Sequence, residues 1–146
     1  MDFLPGTRFK PVLADPIASP EVVERIILLS GKIYYDLVKQ RQTRELNDRI
    51  AFIRIEELSP FPFRQLRATL QTYPNAKQFL WLQEEPKNQG AWVHVHSRVD
   101  VVLAGLGHGK GAVYSGRMEA SLPAPGVTNV YAAQQKEILA AVFQDL

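Results

Sequence analysis

The sequence predicts an α/β fold in which helices cover both faces of a mainly parallel sheet. Two patterns point to it. Short apolar runs that end at turn residues alternate with segments whose apolar residues recur three and four positions apart. The runs Ile26-Ile27-Leu28-Leu29 and Phe79-Leu80-Trp81-Leu82 are continuously apolar, as strands are when both of their faces are covered. A core of that kind is affordable, because the chain has 146 residues of which 46% are hydrophobic. A chain of that length suits one domain and buries roughly two-thirds of its unfolded surface. No internal repeat or linker divides it, so residues 1–146 are expected to form a single domain.

In chain order, Phe9 to Ala14 is a short apolar stretch broken by Lys10 and Pro11, and proline confines it to an edge strand or extended arm. Ser19-Pro20-Glu21 is a turn, and Arg25 to Leu29 is the first covered strand. From Gly31 to about Arg44, Ile33 with Leu37 and Tyr34 with Val38 repeat at i, i+4 and predict an amphipathic helix. Lys39, Arg41 and Arg44 near its end suit the negative end of the helix dipole. Ile50 to Ile55 is the next strand. Phe63, Leu66 and Leu70 mark a short helix entered through Pro62 and stopped at Tyr73-Pro74-Asn75. After the strand at Phe79 to Leu82, a helix is expected from near Ala91, with Trp92, Val95, Val99 and Val102 on one stripe. A strand at Ala112 to Ser115, a proline-rich connection at Pro123 to Gly126 and a final helix carrying Ile138, Leu139, Val142 and Phe143 complete the chain.

Composition excludes several function classes. The formal charge of +2 is spread along the chain, so no electrostatic footprint for nucleic acid is present. There is no cysteine, hence no disulfide, thiolate ligand or cysteine nucleophile. No apolar run approaches the ~20 residues of a membrane span, and the N-terminus, with Asp2 and Pro5, has neither a signal nor a transit-peptide pattern. Any targeting information is expected to lie elsewhere.

The most informative stretch runs from Gln83 through Glu84, Glu85, Pro86, Lys87, Asn88, Gln89, Gly90 and Ala91 to Trp92. It sits between the carboxyl end of a strand and the start of a helix, where ligands and partners bind in open α/β sheets. It closely resembles the signature near the C-terminus of the E1 components of the 2-oxoglutarate dehydrogenase family, the thiamine-diphosphate-dependent 2-oxo acid decarboxylases. Further motifs follow in that family's order. They are Ser30-Gly31-Lys32 with Tyr34-Tyr35-Asp36-Leu37, Arg54-Ile55-Glu56-Glu57-Leu58 with Pro60-Phe61-Pro62, Tyr73-Pro74-Asn75-Ala76, and Tyr114-Ser115-Gly116-Arg117. The resemblance covers roughly Phe9 to Phe143.

The resemblance implies a transketolase C-terminal-domain-like unit, a three-layer α/β/α fold with a five-stranded mixed sheet, mostly parallel, whose first strand is antiparallel. The Phe9 to Ala14 arm would be that strand. It also implies oxidative decarboxylation of 2-oxoglutarate or 2-oxoadipate, with acyl transfer to the lipoyl group of an E2 acyltransferase. Such enzymes are homodimers, located in the mitochondrial matrix in eukaryotes and the cytoplasm in bacteria. The partners implied are the preceding E1 domains, a second E1 subunit and E2. Phe9-Lys10-Pro11-Val12 and Leu122-Pro123-Ala124-Pro125-Gly126 resemble the 2-oxoadipate branch more. The family's thiamine diphosphate and magnesium are held through a Gly-Asp-Gly motif in preceding domains. No Gly-Asp-Gly occurs here, so no catalytic residue or cofactor ligand transfers to this chain, and the isolated domain is expected to be inactive. The competing reading is a stand-alone anion-binding or protein-interaction domain of the same fold.

If four strands are parallel, their carboxyl ends bring Ser30, Gly31, Lys32, Arg54, Glu56, Glu57, Gln83, Glu84, Glu85, Lys87, Asn88, Gln89 and Arg117 to one edge of the sheet. That edge could hold a phosphate or carboxylate at the helix start near Gly31, helped by Lys32, Arg54, Lys87 and Arg117. It could instead be an ion-pair and hydrogen-bond network shaping an interface. Four acids, Glu56, Glu57, Glu84 and Glu85, face four bases and favour the network, since an anion site carries excess positive charge. The pair His94 and His96 lies ~200° apart on a helix with no third ligand placed by spacing, so no metal site is expected. The glycines at 105, 107, 109 and 111 lack the spacing of a phosphate-binding loop and read as a flexible surface loop. No serine or threonine has triad partners.

Overall fold

A computed structural model describes residues 7–16, 19–45 and 48–144. The expectation built on Asp2 and Pro5 falls outside them. The elements are β1 (Val12–Leu13), β2 (Arg25–Leu29), α1 (Ile33–Thr43), β3 (Ile50–Ile55), α2 (Phe63–Gln71), β4 (Gln78–Pro86), α3 (Trp92–Gly105), β5 (Val113–Arg117) and α4 (Thr128–Ala141). They build one five-stranded sheet in the order β1-β3-β2-β4-β5. β1 runs antiparallel to β3, and every other pairing is parallel.

The continuously apolar strands are central and covered on both sides. Alternation along β2 sends Ile26 and Leu28 to one face and Ile27 and Leu29 to the other. On the first face Ala51, Ile53, Phe79 and Trp81 pack with Leu66 and Leu70 of α2 and with Val95, Val99 and Leu103 of α3. On the second, Ile50, Phe52 and Leu82 pack with Ile33 and Leu37 of α1 and with Ile138, Leu139, Val142 and Phe143. The three layers are therefore α2 and α3, the sheet, and α1 and α4. Arg25 at the start of β2 closes the second layer by donating to the carbonyls of Val142 (2.8 Å) and Gln144 (2.7 Å).

Several local expectations are corrected. β1 is only Val12–Leu13, with Phe9 68% exposed, because Pro11 has no N–H to extend the ladder. β4 continues through Gln83, Glu84 and Glu85 to Pro86 instead of stopping at Leu82, since β5 reaches Arg117 and keeps pairing with it across a bulge. Arg41 does not serve the helix dipole in solvent. It is fully buried, ion-paired with Asp15, and donates to the Ile50 carbonyl (3.0 Å), with its guanidinium 4.4 Å from the Phe52 ring centroid. Asp15 also accepts the Phe52 N–H (2.8 Å), so this pair anchors the segment after β1 onto β3.

The glycine run is not one loop either. Gly105 ends α3, and Gly107, at φ +87°, turns the chain. Its N–H bonds to Ala104 and that of His108 to Leu103, the paired bonds of a Schellman C-cap. The His108 ring then packs on Phe79, 4.5 Å between centroids. Among the described residues no helix is long and apolar enough to cross a membrane.

Candidate functional site

The parallel order of β3, β2, β4 and β5 puts the four motif ends on one edge of the sheet. Within that edge the groups are tied chiefly to neutral partners. Gln83 is 3% exposed, and its side chain makes four hydrogen bonds. Its oxygen accepts from the Trp81 indole (3.0 Å) and from the Trp92 backbone N–H (2.9 Å). Its nitrogen donates to the carbonyls of Glu85 (3.2 Å) and Pro86 (3.0 Å). One amide thus joins the β4 bulge to the first turn of α3, which has no side-chain cap of its own. Gly90, at φ +67°, closes the turn between them, and a Cβ there would sit 2.8 Å from the Gln83 side-chain nitrogen.

Trp92, at the start of the α3 stripe, packs against the core cluster that contains Val95, Val99 and Val102. Its ring is half-buried, with its centroid 5.3 Å from that of His96 and 5.4 Å from that of Tyr114, and its backbone N–H is the group bonded to Gln83. Tyr114 lies across the same bulge and donates to the Arg117 carbonyl (2.6 Å), with the Glu85 carbonyl at 3.3 Å. Burial pushes its phenol up to about 12.

Arg117, 7% exposed, clamps α4. It donates to Gln134 (3.1 Å), to Gln135 (2.9 Å) and to the Glu84 backbone carbonyl. The Tyr131 ring lies 4.8 Å from its guanidinium. The Glu84 carboxylate accepts from Tyr131 (3.3 Å) and Gln135 (3.1 Å), so the Gln135 amide bridges the two charged groups. Asn88 exchanges two bonds with the backbone of Ala120, and Gln89 adds a third to its carbonyl at 2.7 Å. On the other side, Arg54 pairs with Glu56 (3.6 Å) and stacks on Tyr34 (4.3 Å).

The expected pairing of four acids with four bases thus reduces, among the described residues, to the one ion pair between Arg54 and Glu56. Glu84 and Arg54 have separate partners. Lys32 and Gly31 are exposed, Ser30 and Glu57 are half-buried and Glu85 is exposed, and none of their side chains has a hydrogen-bond partner in the network. Lys87 reaches only the Tyr114 ring, 5.8 Å from its centroid. Tyr131, Gln134 and Gln135 were missed from sequence, and Tyr114 entered only as part of its motif. The spacing of Tyr131, Gln134 and Gln135 at i, i+3, i+4 does put them on one face of α4 and was the available signal. His94 and His96 bond to the carbonyls of Leu58 (2.8 Å) and Trp92 (3.1 Å).

Compared with known proteins, residues 1–143 match the family described as 2-oxoglutarate dehydrogenase C-terminal. The chain belongs to that family. The 2-oxoglutarate dehydrogenase E1 component of Cupriavidus necator is 44% identical over 124 residues, 85% of this chain and 13% of that protein. The 2-oxoadipate dehydrogenase complex component E1 of Danio rerio is 41% identical over 143 residues, 97% of this chain and 15% of that protein. The chain thus spans about one-seventh of the length of the relatives it matches. In fold it is similar to a chain described as a split gene transketolase, inactive β4 tetramer. That match has a TM-score of 0.61 at 15% identity, covering 99% of this chain and 44% of the other.

The strand-end groups of the chain do not fit a magnesium diphosphate cradle. Among the described residues no three His, Asp or Glu side chains converge to hold a metal ion, and the half-buried Glu84 turns its carboxylate to Tyr131 and Gln135 of α4.

Proposed function

We propose that the chain serves as the C-terminal structural domain of a 2-oxo acid dehydrogenase E1 component, within an enzyme that decarboxylates 2-oxoglutarate or 2-oxoadipate oxidatively and passes the acyl group to the lipoyl arm of E2. Thiamine diphosphate and magnesium are held in the preceding domains, and the active form is a homodimer. The observation that carries this reading is the sequence match over residues 1–143, in proteins about seven times longer. Relatives named for the two substrates stand at 44% and 41% identity, so the lean toward 2-oxoadipate gains no support from them. The domain works in the mitochondrial matrix in a eukaryote, as the Caenorhabditis elegans relative named as mitochondrial suggests, and in the cytoplasm of a bacterium.

The strand-end edge acts in this reading as shaped scaffold for the neighbouring domain or subunit. Support comes from its chemistry: Gln83, Glu84, Asn88, Gln89 and Arg117 are occupied with one another and with α4. The exposed Lys32 and Glu85 and the half-buried Glu57 and Lys87 are left for contacts across an interface. The test joins residues 1–143 to the preceding domains of the Cupriavidus necator relative in place of its own C-terminal region. A dimeric chimera that turns over a 2-oxo acid, beside an isolated chain inert to thiamine diphosphate in calorimetry, is expected. Micromolar cofactor binding by the isolated chain, or a folded chimera that stays monomeric and inactive, overturns the reading.

A further inference from the structure

A cleft of about 470 Å³ lies between α4 and the irregular segment 118–126. That is within the ~300–1,000 Å³ typical of ligand clefts. Leu122, Pro125 and Ile138 give it apolar walls, Arg117 lies at its inner end, and Glu119 and Glu137 are exposed along it. Apart from Arg117, which also clamps α4, none of these lining residues is used in the enzyme reading above.

Three properties together define an occupant. The backbone groups of residues 118, 119 and 121–126 make no hydrogen bond among the described residues, so their C=O groups, and their N–H groups except at Pro123 and Pro125, which have none, are open for pairing beside the cleft. An added extended segment gains its affinity from such groups. Arg117 uses three of its N–H groups on neutral acceptors, leaving two of the guanidinium's five for a further acceptor, and it has no carboxylate bonded to it directly. A carboxylate placed there makes charge-assisted bonds in a largely desolvated setting. The two exposed carboxylates are the complement of a basic side chain a few residues away from that terminus.

We propose that the cleft binds the C-terminal end of an extended peptide, with its terminal carboxylate on Arg117, its last apolar side chain against Leu122 and Ile138, and a basic residue upstream facing Glu119 and Glu137.

The test is fluorescence anisotropy on the purified full chain with a labelled peptide Lys-Ala-Lys-Ala-Leu bearing a free carboxylate. Saturable binding is expected, weakened about tenfold or more by amidation of the terminus. Replacing the lysines by glutamate is expected to weaken it as well, and Glu137→Lys, at an exposed position outside the α4 clamp, to shift preference toward the glutamate peptide. Arg117→Lys is read only beside a melting curve, because it loosens α4. Equal binding of the acid and the amide, no saturation up to millimolar peptide, or an unchanged preference in Glu137→Lys each overturns the proposal.

Discussion

Replacing Gln83 by leucine tests whether one amide holds the turn between β4 and α3. Leucine keeps most of the volume but removes all four hydrogen bonds. The carbonyls retain other donors, Glu85 from Tyr114 at 3.3 Å and Pro86 from the Gln89 N–H at 2.8 Å, so they contribute little to the loss. The Trp81 indole N–H belongs to a side chain 1% exposed and has no route to water, and the Trp92 N–H is half-buried. Two stranded donors at about 1–3 kcal/mol each give a gross cost of about 2–6 kcal/mol. The added apolar burial of leucine offsets about 1 kcal/mol of it, leaving roughly 1–5 kcal/mol. Urea melts followed by tryptophan fluorescence measure this directly. With an m-value of about 2 kcal/mol/M, the midpoint should fall by roughly 0.5–2.5 M at unchanged slope. A midpoint within about 0.2 M of wild type would show that the turn is held by other contacts and that the amide is incidental.

Three further outcomes follow from the same structure. Gly90→Ala should cost about 2 kcal/mol in the same melts, because it strains a residue at φ +67° and drives a Cβ to 2.8 Å from Gln83; a neutral effect would mean the turn relaxes freely. Asp15→Ala, which strands the buried Arg41, should cost about 3–5 kcal/mol, while Asp15→Ala with Arg41→Met should cost less than the two single losses summed. Additive losses would separate the two groups. Tyr114 titrates near 12 in the folded state, against about 10 when unfolded. Burial favours its neutral form, so the stability it lends is complete below pH 10 and is lost as pH rises toward 12. Thermal melts between pH 9 and 12 should therefore fall less steeply for Tyr114→Phe than for wild type, with Tyr73, also raised by burial, supplying part of the remaining slope.

The sequence by itself determined the class of fold and the place of its informative edge. Runs such as Ile26 to Leu29 state that both faces are covered, and repeats such as Ile33 with Leu37 state which face of a helix is, because side-chain direction follows from local backbone period alone. The motif residues could likewise be put at strand ends before any strand partner was known. Only the tertiary structure decided what those residues touch. Arg41 reads as an exposed helix-end base until Asp15, 26 residues earlier, is folded against it. Gln83 reads as loop until β5 extends β4 past it, and Glu84 reads as one half of an ion pair until Gln135, 51 positions later, takes its carboxylate. Period fixes a direction, but a partner is chosen by closure of the chain over such distances. A buried polar group accepts whichever complementary group that closure delivers, because leaving it unpaired costs more than any local preference can repay.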